Sequence, residues 1–273
     1  MPATLTRTAA ALLAAAAACA PLQPQPASAE SPIDHAIATA AGPTEAARAR
    51  SPGARARPLP SWKVVGHSVQ GRPLRAATYG SGARRVLWIG GIHGNEREGA
   101  VATDELPDAF LAAPGGERAV TLTVLEDVNP DGSAMHMRGN ANGVDLNRNF
   151  PADNFVANRM FGREPLSQPE SLALRELITA VQPHLVLIAH SWSGDHFVNF
   201  DGPARELADR FAQLSGYPVR RSEDIPATPG SLGSWLGQEL GVPVLTIEYL
   251  RGREPGEAWR ETRDAVLAVV LDG

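Results

Sequence analysis

Four stretches of this 273-residue sequence carry side chains whose types and spacing could do chemistry together. His93 and Glu96 stand three residues apart in His93-Gly94-Asn95-Glu96. If the chain turns at the glycine, imidazole and carboxylate can meet on one ion, and both are good zinc ligands at about 2.0–2.2 Å. Taken alone, such a pair is as readily an incidental feature of a surface loop. His190 ends the apolar run His184–Ala189 and is followed by Ser191-Trp192-Ser193-Gly194. A single histidine at a strand end is ordinarily structural. Glu248 sits inside the apolar run Val242–Leu250 (VPVLTIEYL). A carboxylate there is costly unless paired, metal-bound or neutral. It is therefore a candidate for a raised pKa and for proton transfer. A salt bridge to Arg251 or Arg253 would also account for it. The fourth stretch holds Asn129-Pro130-Asp131-Gly132, then Arg138, then Gly143–Phe150 with Asp145, Asn147 and Arg148. Its first part is a turn by composition. Arginine forks pair bidentately with carboxylates, although a solvated basic loop would have the same composition.

The elements that must position these residues alternate between strand and helix. Trp62–Ser68 and Leu74–Tyr79 read as strands around a Gln70-Gly71-Arg72 turn. Arg85–Gly90, His184–Ala189 and Val242–Leu250 are short apolar runs of the kind expected of buried strands, and Val120–Val128 is a further strand. Gly99–Ala112, Gln168–Ala180, Ala204–Leu214 and Ala258–Leu271 read as helices. The alternation predicts an α/β fold with a central mixed, largely parallel twisted sheet and helices on both faces. His93, Asn129, His190 and Glu248 then fall at or near the ends of four different strands. In open α/β sheets ligands bind beyond the carboxyl ends of strands, and independent accidents would not converge in this way.

In order along the chain, HGNE, NPDG, GVDLNRNFP, the AHS around His190 and the TIE around Glu248 resemble the zinc carboxypeptidase family over most of residues 62–273. The resemblance implies one zinc ion per chain, held by His93, Glu96 and His190. It makes Glu248 the catalytic glutamate and Asp145 the carboxylate that orients His93, a role metal sites commonly need. Asn147 and Arg148 match the pair that anchors a substrate carboxylate. Arg138 takes the place of the arginine that polarises the scissile carbonyl, at a shorter spacing to Asn147 than in the digestive members. Ser191 and Gly233 fall among the substrate-binding positions. Within the family, GGIHGNEREG, the compact loops and TPGSLGSWLG resemble the murein peptide amidases, which implies cleavage of the γ-D-glutamyl–diaminopimelate bond. General carboxypeptidase action on ordinary peptides, and small-molecule deacylation of the aspartoacylase or desuccinylase kind, are the alternatives; a wall-binding module without activity is a third. One departure is plain: the stretch Asp224–Ala227 lacks the tyrosine that closes over substrate in the digestive enzymes. Gly233 implies a roomy specificity pocket. No acid occurs between Pro226 and Gly237, so that segment gives no reason to expect a basic leaving residue.

Composition is that of an ordinary globular chain, 43% hydrophobic and 20% charged, and the net charge of -5 does not suggest a nucleic-acid partner. Residues 1–29 have a basic start, a short apolar run and an Ala27-Ser28-Ala29 site, the pattern of a secretory signal. Export to the periplasm or outside is therefore expected. The single cysteine, Cys19, is either discarded with that signal or lipidated, and membrane attachment is expected only in the second case. Residues 30–60, rich in Ala, Pro and Arg, read as a linker or pro-segment, leaving 61–273 as the catalytic domain. The expected partner is a peptide or muropeptide substrate.

Overall fold

The computed structural model describes residues 61–272; the expected signal and linker lie outside the described residues. Among the described residues eight strands form one sheet: β1 (Lys63–His67), β2 (Pro73–Gly80), β3 (Arg84–Ile89), β4 (Val120–Leu125), β5 (Leu185–Trp192), β6 (Phe197–Asp201), β7 (Val219–Arg221) and β8 (Val244–Leu250). Their order is β1-β2-β4-β3-β5-β8-β6-β7. The inner strands β4, β3, β5 and β8 are parallel. β1 and β2 extend one edge antiparallel. On the other edge β6 runs antiparallel to β8, and β7 parallel to β6. The expected mixed, largely parallel sheet is therefore present, with two strands more than the sequence patterning indicates.

Among the described residues six α-helices accompany it: α1 (Ala100–Ala112), α2 (Gly116–Ala119), α3 (Pro130–Met135), α4 (Pro169–Val181), α5 (Arg205–Ser215) and α6 (Pro255–Leu271). Proline occupies the first turn of α3, α4 and α6, where its missing N–H is not needed. Glu254 caps α6 by accepting from Gly256 N and Glu257 N at 3.0 and 2.8 Å.

Alternation of side chains along the inner strands sorts the core into two layers. Val86, Trp88, Leu187, Ala189, Ile247 and Tyr249 face α1, α5 and α6. Leu87, Ile89, Val186, Ile188 and Val244 face α4, the turn at Leu146–Phe150, and a π-helix at Gly233–Glu239. His190 and Glu248 are the next members of this second set and point to that side. From β3 the chain crosses to β4 on one side and later returns to β5 on the other, so strand order reverses between β3 and β5. A crevice opens at the carboxyl ends of strands at such a reversal, and the residues singled out above gather there.

Candidate metal centre and substrate cleft

His93 stands four residues beyond the end of β3, and the chain turns at Gly94 to bring Glu96 back. A Cβ at position 94 would stand 2.0 Å from the backbone of Gly132, so the closeness of the two loops requires glycine there. His190 and Glu248 are register partners on β5 and β8, side by side at a spacing of about 4.8 Å between strands. Asn129, four residues beyond the end of β4, is fully buried and caps α3 by accepting from Gly132 N at 2.9 Å; its amide donates to Arg138 O at 3.2 Å. The fourth stretch is thus held against the site by its own turn residue.

One ligand atom each from His93, Glu96 and His190 lies within 4.8 Å of the other two, and all three residues are buried. His93 Nε2 meets Asp145 Oδ1 at 2.9 Å. His93 Nδ1 is 3.0 Å from Glu96 Oε1 yet buried in no hydrogen bond. One nitrogen is therefore fixed by a carboxylate, and the other is left aimed at the gap between the ligands. Together with His190 Nδ1, 2.8 Å from Glu96 Oε2, this donor set fits zinc with one coordination position to spare, as catalytic sites need.

The electrostatics follow from burial and close pairing. Burial alone would raise the Asp145 carboxyl, but His93 and Arg138 hold it well below the usual carboxylate range. Burial likewise opposes ionisation of Glu96, and the two histidines overcome it. The His190 imidazole is pushed down to about 4, chiefly by burial, so it is neutral at pH 7, as a ligand must be. Glu248 behaves differently. Its carboxylate accepts no hydrogen bond among the described residues, and burial with Glu96 nearby pushes it up to about 8. The salt bridge open to it on sequence grounds is not formed. Arg251 donates to Asn95 O at 2.5 Å and to Glu96 Oε1 at 3.2 Å, and Arg253 pairs with Glu257 and Glu261.

The remaining expected residues are placed as follows. Arg138 Nε donates to Asp145 Oδ2 and its Nη1 to Glu96 Oε1, both at 2.9 Å, with Nη2 uncommitted. Arg148 is half-buried and pairs with no carboxylate among the described residues; its Nη1 donates to Asn147 O at 2.7 Å. Asn147 joins two parts of the cleft: Oδ1 accepts from Leu232 N, and Nδ2 faces His190 Nε2, each at 3.0 Å. The Ser191 hydroxyl is directed to Glu98.

Gly233 begins the π-helix, and a Cβ there would stand 2.1 Å from Asp201 Oδ2. Asp201 is a residue that sequence reasoning missed. The acid absent from 226–237 arrives from β6, whose Phe197, Asn199 and Asp201 alternate onto the site face beside Glu248, Thr246 and Val244. Asp201 is 8% exposed and has no cationic partner among the described residues. Its Oδ1 accepts from Ser222 Oγ at 2.8 Å and from Gln238 Nε2 at 2.9 Å, leaving Oδ2 free. The sequence signal was the two-residue periodicity of FVNFD. The chain's three tyrosines, Tyr79, Tyr217 and Tyr249, all belong to the core layer on the opposite face of the sheet, so no tyrosine takes the place of the missing one.

Comparison with known proteins agrees with the fold. Residues 59–204 match the model of the zinc carboxypeptidase family, Peptidase M14. The chain is 33% identical over 212 residues to murein peptide amidase A of Escherichia coli K12, covering 70% of this chain and 81% of that protein. It is 25% identical over 246 residues to γ-D-glutamyl-L-diamino acid endopeptidase 1 of Lysinibacillus sphaericus, covering 70% of this chain and 61% of that one. The crystal structure of murein-tripeptide amidase from Escherichia coli O157 superposes with a TM-score of 0.64 at 28% identity, covering 82% of this chain and 97% of that one.

Proposed function

Since the chain belongs to the zinc carboxypeptidase family, we propose that it hydrolyses the amide bond preceding a residue with a free carboxylate and a long, cationic side chain, in particular the γ-D-glutamyl–diaminopimelate bond of murein peptides. The observation that carries this reading is Asp201. Its buried carboxylate lacks a cation and lies against Gly233. Along β8 its register partner, Val244, is four residues from Glu248, or about 13 Å at the rise of a strand. A short or apolar leaving residue would leave that charge buried and unmatched. Diaminopimelate has the length and an ammonium group to reach it. The names of the relatives above point the same way, and the export signal read in residues 1–29 would bring the enzyme to cell-wall peptides.

Zinc, when bound, supplies a Lewis acid that activates water and polarises the scissile carbonyl. The chain's own residues do the rest. Glu248, held in an apolar strand beside the ligands, takes a proton from the attacking water at its carboxylate and returns it to the leaving nitrogen. Arg138 offers Nη2 to the oxyanion while Asp145 fixes its Nε. Arg148 grips the free carboxylate next to the cut bond. With no tyrosine on this face, Glu248 is the proton donor to the leaving group.

The test is competition between L-Ala-γ-D-Glu-diaminopimelate and peptides ending in Lys, Arg, Phe or Leu. The murein peptide should be preferred. Asp201→Asn should lower kcat/KM on it by roughly 30-fold or more, since losing one partner of a buried charged pair costs about 2–5 kcal/mol. The same substitution should not lower turnover of a leaving residue of equal length without an ammonium, because it removes the unmatched charge. Asp201 equally favours a second reading, a carboxypeptidase for ordinary peptides ending in Lys or Arg, and preference for those would establish it instead. Preference for Phe or Leu would overturn both and leave the zinc hydrolase standing.

The anchor is tested separately. Arg148→Ala, or amidation of the substrate carboxylate, should each weaken turnover by about 2–5 kcal/mol, roughly 30- to several-thousand-fold. The two should not add: Arg148→Ala should scarcely change the rate on amidated substrate, because the interaction is already gone. Additive losses would show that Arg148 grips something else.

A further inference from the structure

Glu98 is a buried carboxylate that the mechanism does not use. It is 7% exposed, and no cation pairs with it among the described residues. Its Oε2 accepts from the Ser191 hydroxyl and its Oε1 from Gly252 N at 2.7 Å. These partners lie on different segments: Ser191 directly follows His190 on β5, and Gly252 follows the end of β8. Glu98 itself stands two residues beyond Glu96. The segment from His93 to Gly99 therefore passes over the carboxyl ends of β5 and β8, and Glu98 fastens it to both.

The fastening bears directly on Glu96. Ser191 presents its backbone N–H to Glu96 Oε2 at 3.0 Å while its hydroxyl serves Glu98, so one residue fixes both acids. On the other side of Glu96, the guanidiniums of Arg138 and Arg251 lie 2.9 and 3.2 Å from Oε1. Both compete with a metal ion for that oxygen. Without the tie through Glu98, the segment carrying His93 and Glu96 is free to shift relative to His190, and Glu96 can settle onto the two arginines.

We propose that Glu98 is a positioning residue for the metal, joining the segment that supplies His93 and Glu96 to the strand that supplies His190 and thereby setting zinc affinity. This rests on the zinc reading of the site and is independent of the substrate.

The experiment measures the zinc dissociation constant by competition with a chromogenic chelator, alongside the melting temperature of metal-free protein and kcat/KM at saturating zinc. Glu98→Ala should weaken zinc by about 10-fold, the low end of the cost of losing a direct partner of a metal ligand, because Glu98 acts on Glu96 through Ser191, with most of the activity returning in excess zinc. Glu98→Gln should recover most of that affinity, because its carbonyl can accept from Gly252 N and its amide can donate to Ser191. Zinc affinity unchanged in Glu98→Ala, whatever happens to the melting temperature, would make the role merely structural and overturn the proposal. So would a Gln variant as weak as the Ala variant. If Glu98→Ala does not fold, Ser191→Ala reads the same tie from its other end: weakened zinc supports the proposal and unchanged zinc overturns it. Loss of murein-peptide preference with zinc affinity as expected would count against the substrate alone.

Discussion

Replacing His93 or His190 by alanine is expected to remove zinc and hydrolysis together. Each supplies one of three ligand atoms gathered within 4.8 Å, and a two-ligand remainder cannot hold the tetrahedral arrangement that zinc takes in proteins. The loss in affinity should exceed the roughly 10- to 100-fold typical of an outer partner. Metal analysis of the purified protein should fall from about one zinc per chain to near none, and turnover to the level of chelator-treated wild type. Full zinc content in either variant would mean that the ion sits elsewhere.

Glu248→Gln is expected to do the opposite to the metal and much the same to the rate. The glutamine keeps the shape of the strand and cannot accept a proton. It should bind zinc normally and turn over substrate roughly 10²–10⁴-fold more slowly, the usual contribution of a general base. A rate near wild type would reassign the base. The same variant gives a second readout in metal-free protein. Glu248 is raised from 4.5 to about 8 in the fold, so the folded state prefers the carboxyl protonated. That preference is fully present below pH 4.5 and is lost as pH rises toward 8. Above it, holding the ionised group costs on the order of a few kcal/mol, at about 1.4 kcal/mol per unit. Metal-free Glu248→Gln should therefore melt higher than metal-free wild type at pH 8.5, and the gap should close by pH 4.5. A gap that is constant with pH would show that Glu248 is not the group titrating there.

Much of this was legible in the sequence because the inner strands are parallel and covered on both faces. Such strands appear as unbroken apolar runs, and a His or Glu interrupting VLTIE or ending LVLIA stands out. β6 was not legible in this way. Its alternation of Phe197, Asn199 and Asp201 spans only five residues, and the segment around Gly233, 226–237, holds no acid of its own, so nothing local points from Gly233 to a carboxylate on another strand. The two arginines following Glu248 were natural candidates to neutralise it. Whether they do depends on where the loop after β8 turns, and it turns Arg251 toward Glu96. The family resemblance puts Ser191, beside His190, among the substrate-binding positions. Its hydroxyl serves Glu98 because the segment after His93 passes over the sheet edge, a crossing that no local pattern encodes.

The reversal of strand order between β3 and β5 has a kinetic consequence. His93 and Glu96 are neighbours in any conformation, but His190 joins them only when β5 docks beside β3, after the chain has completed α1, β4 and α4. The full ligand set is a product of long-range closure, which is entropically costly before native contacts reward it. The unfolded chain can offer zinc no comparable site, so nearly all the binding free energy adds to the folded state. If the ion enters only after the main folding barrier, it should leave the folding rate almost unchanged and slow unfolding. Zinc would then act as a latch that sets the lifetime of the fold as well as its chemistry.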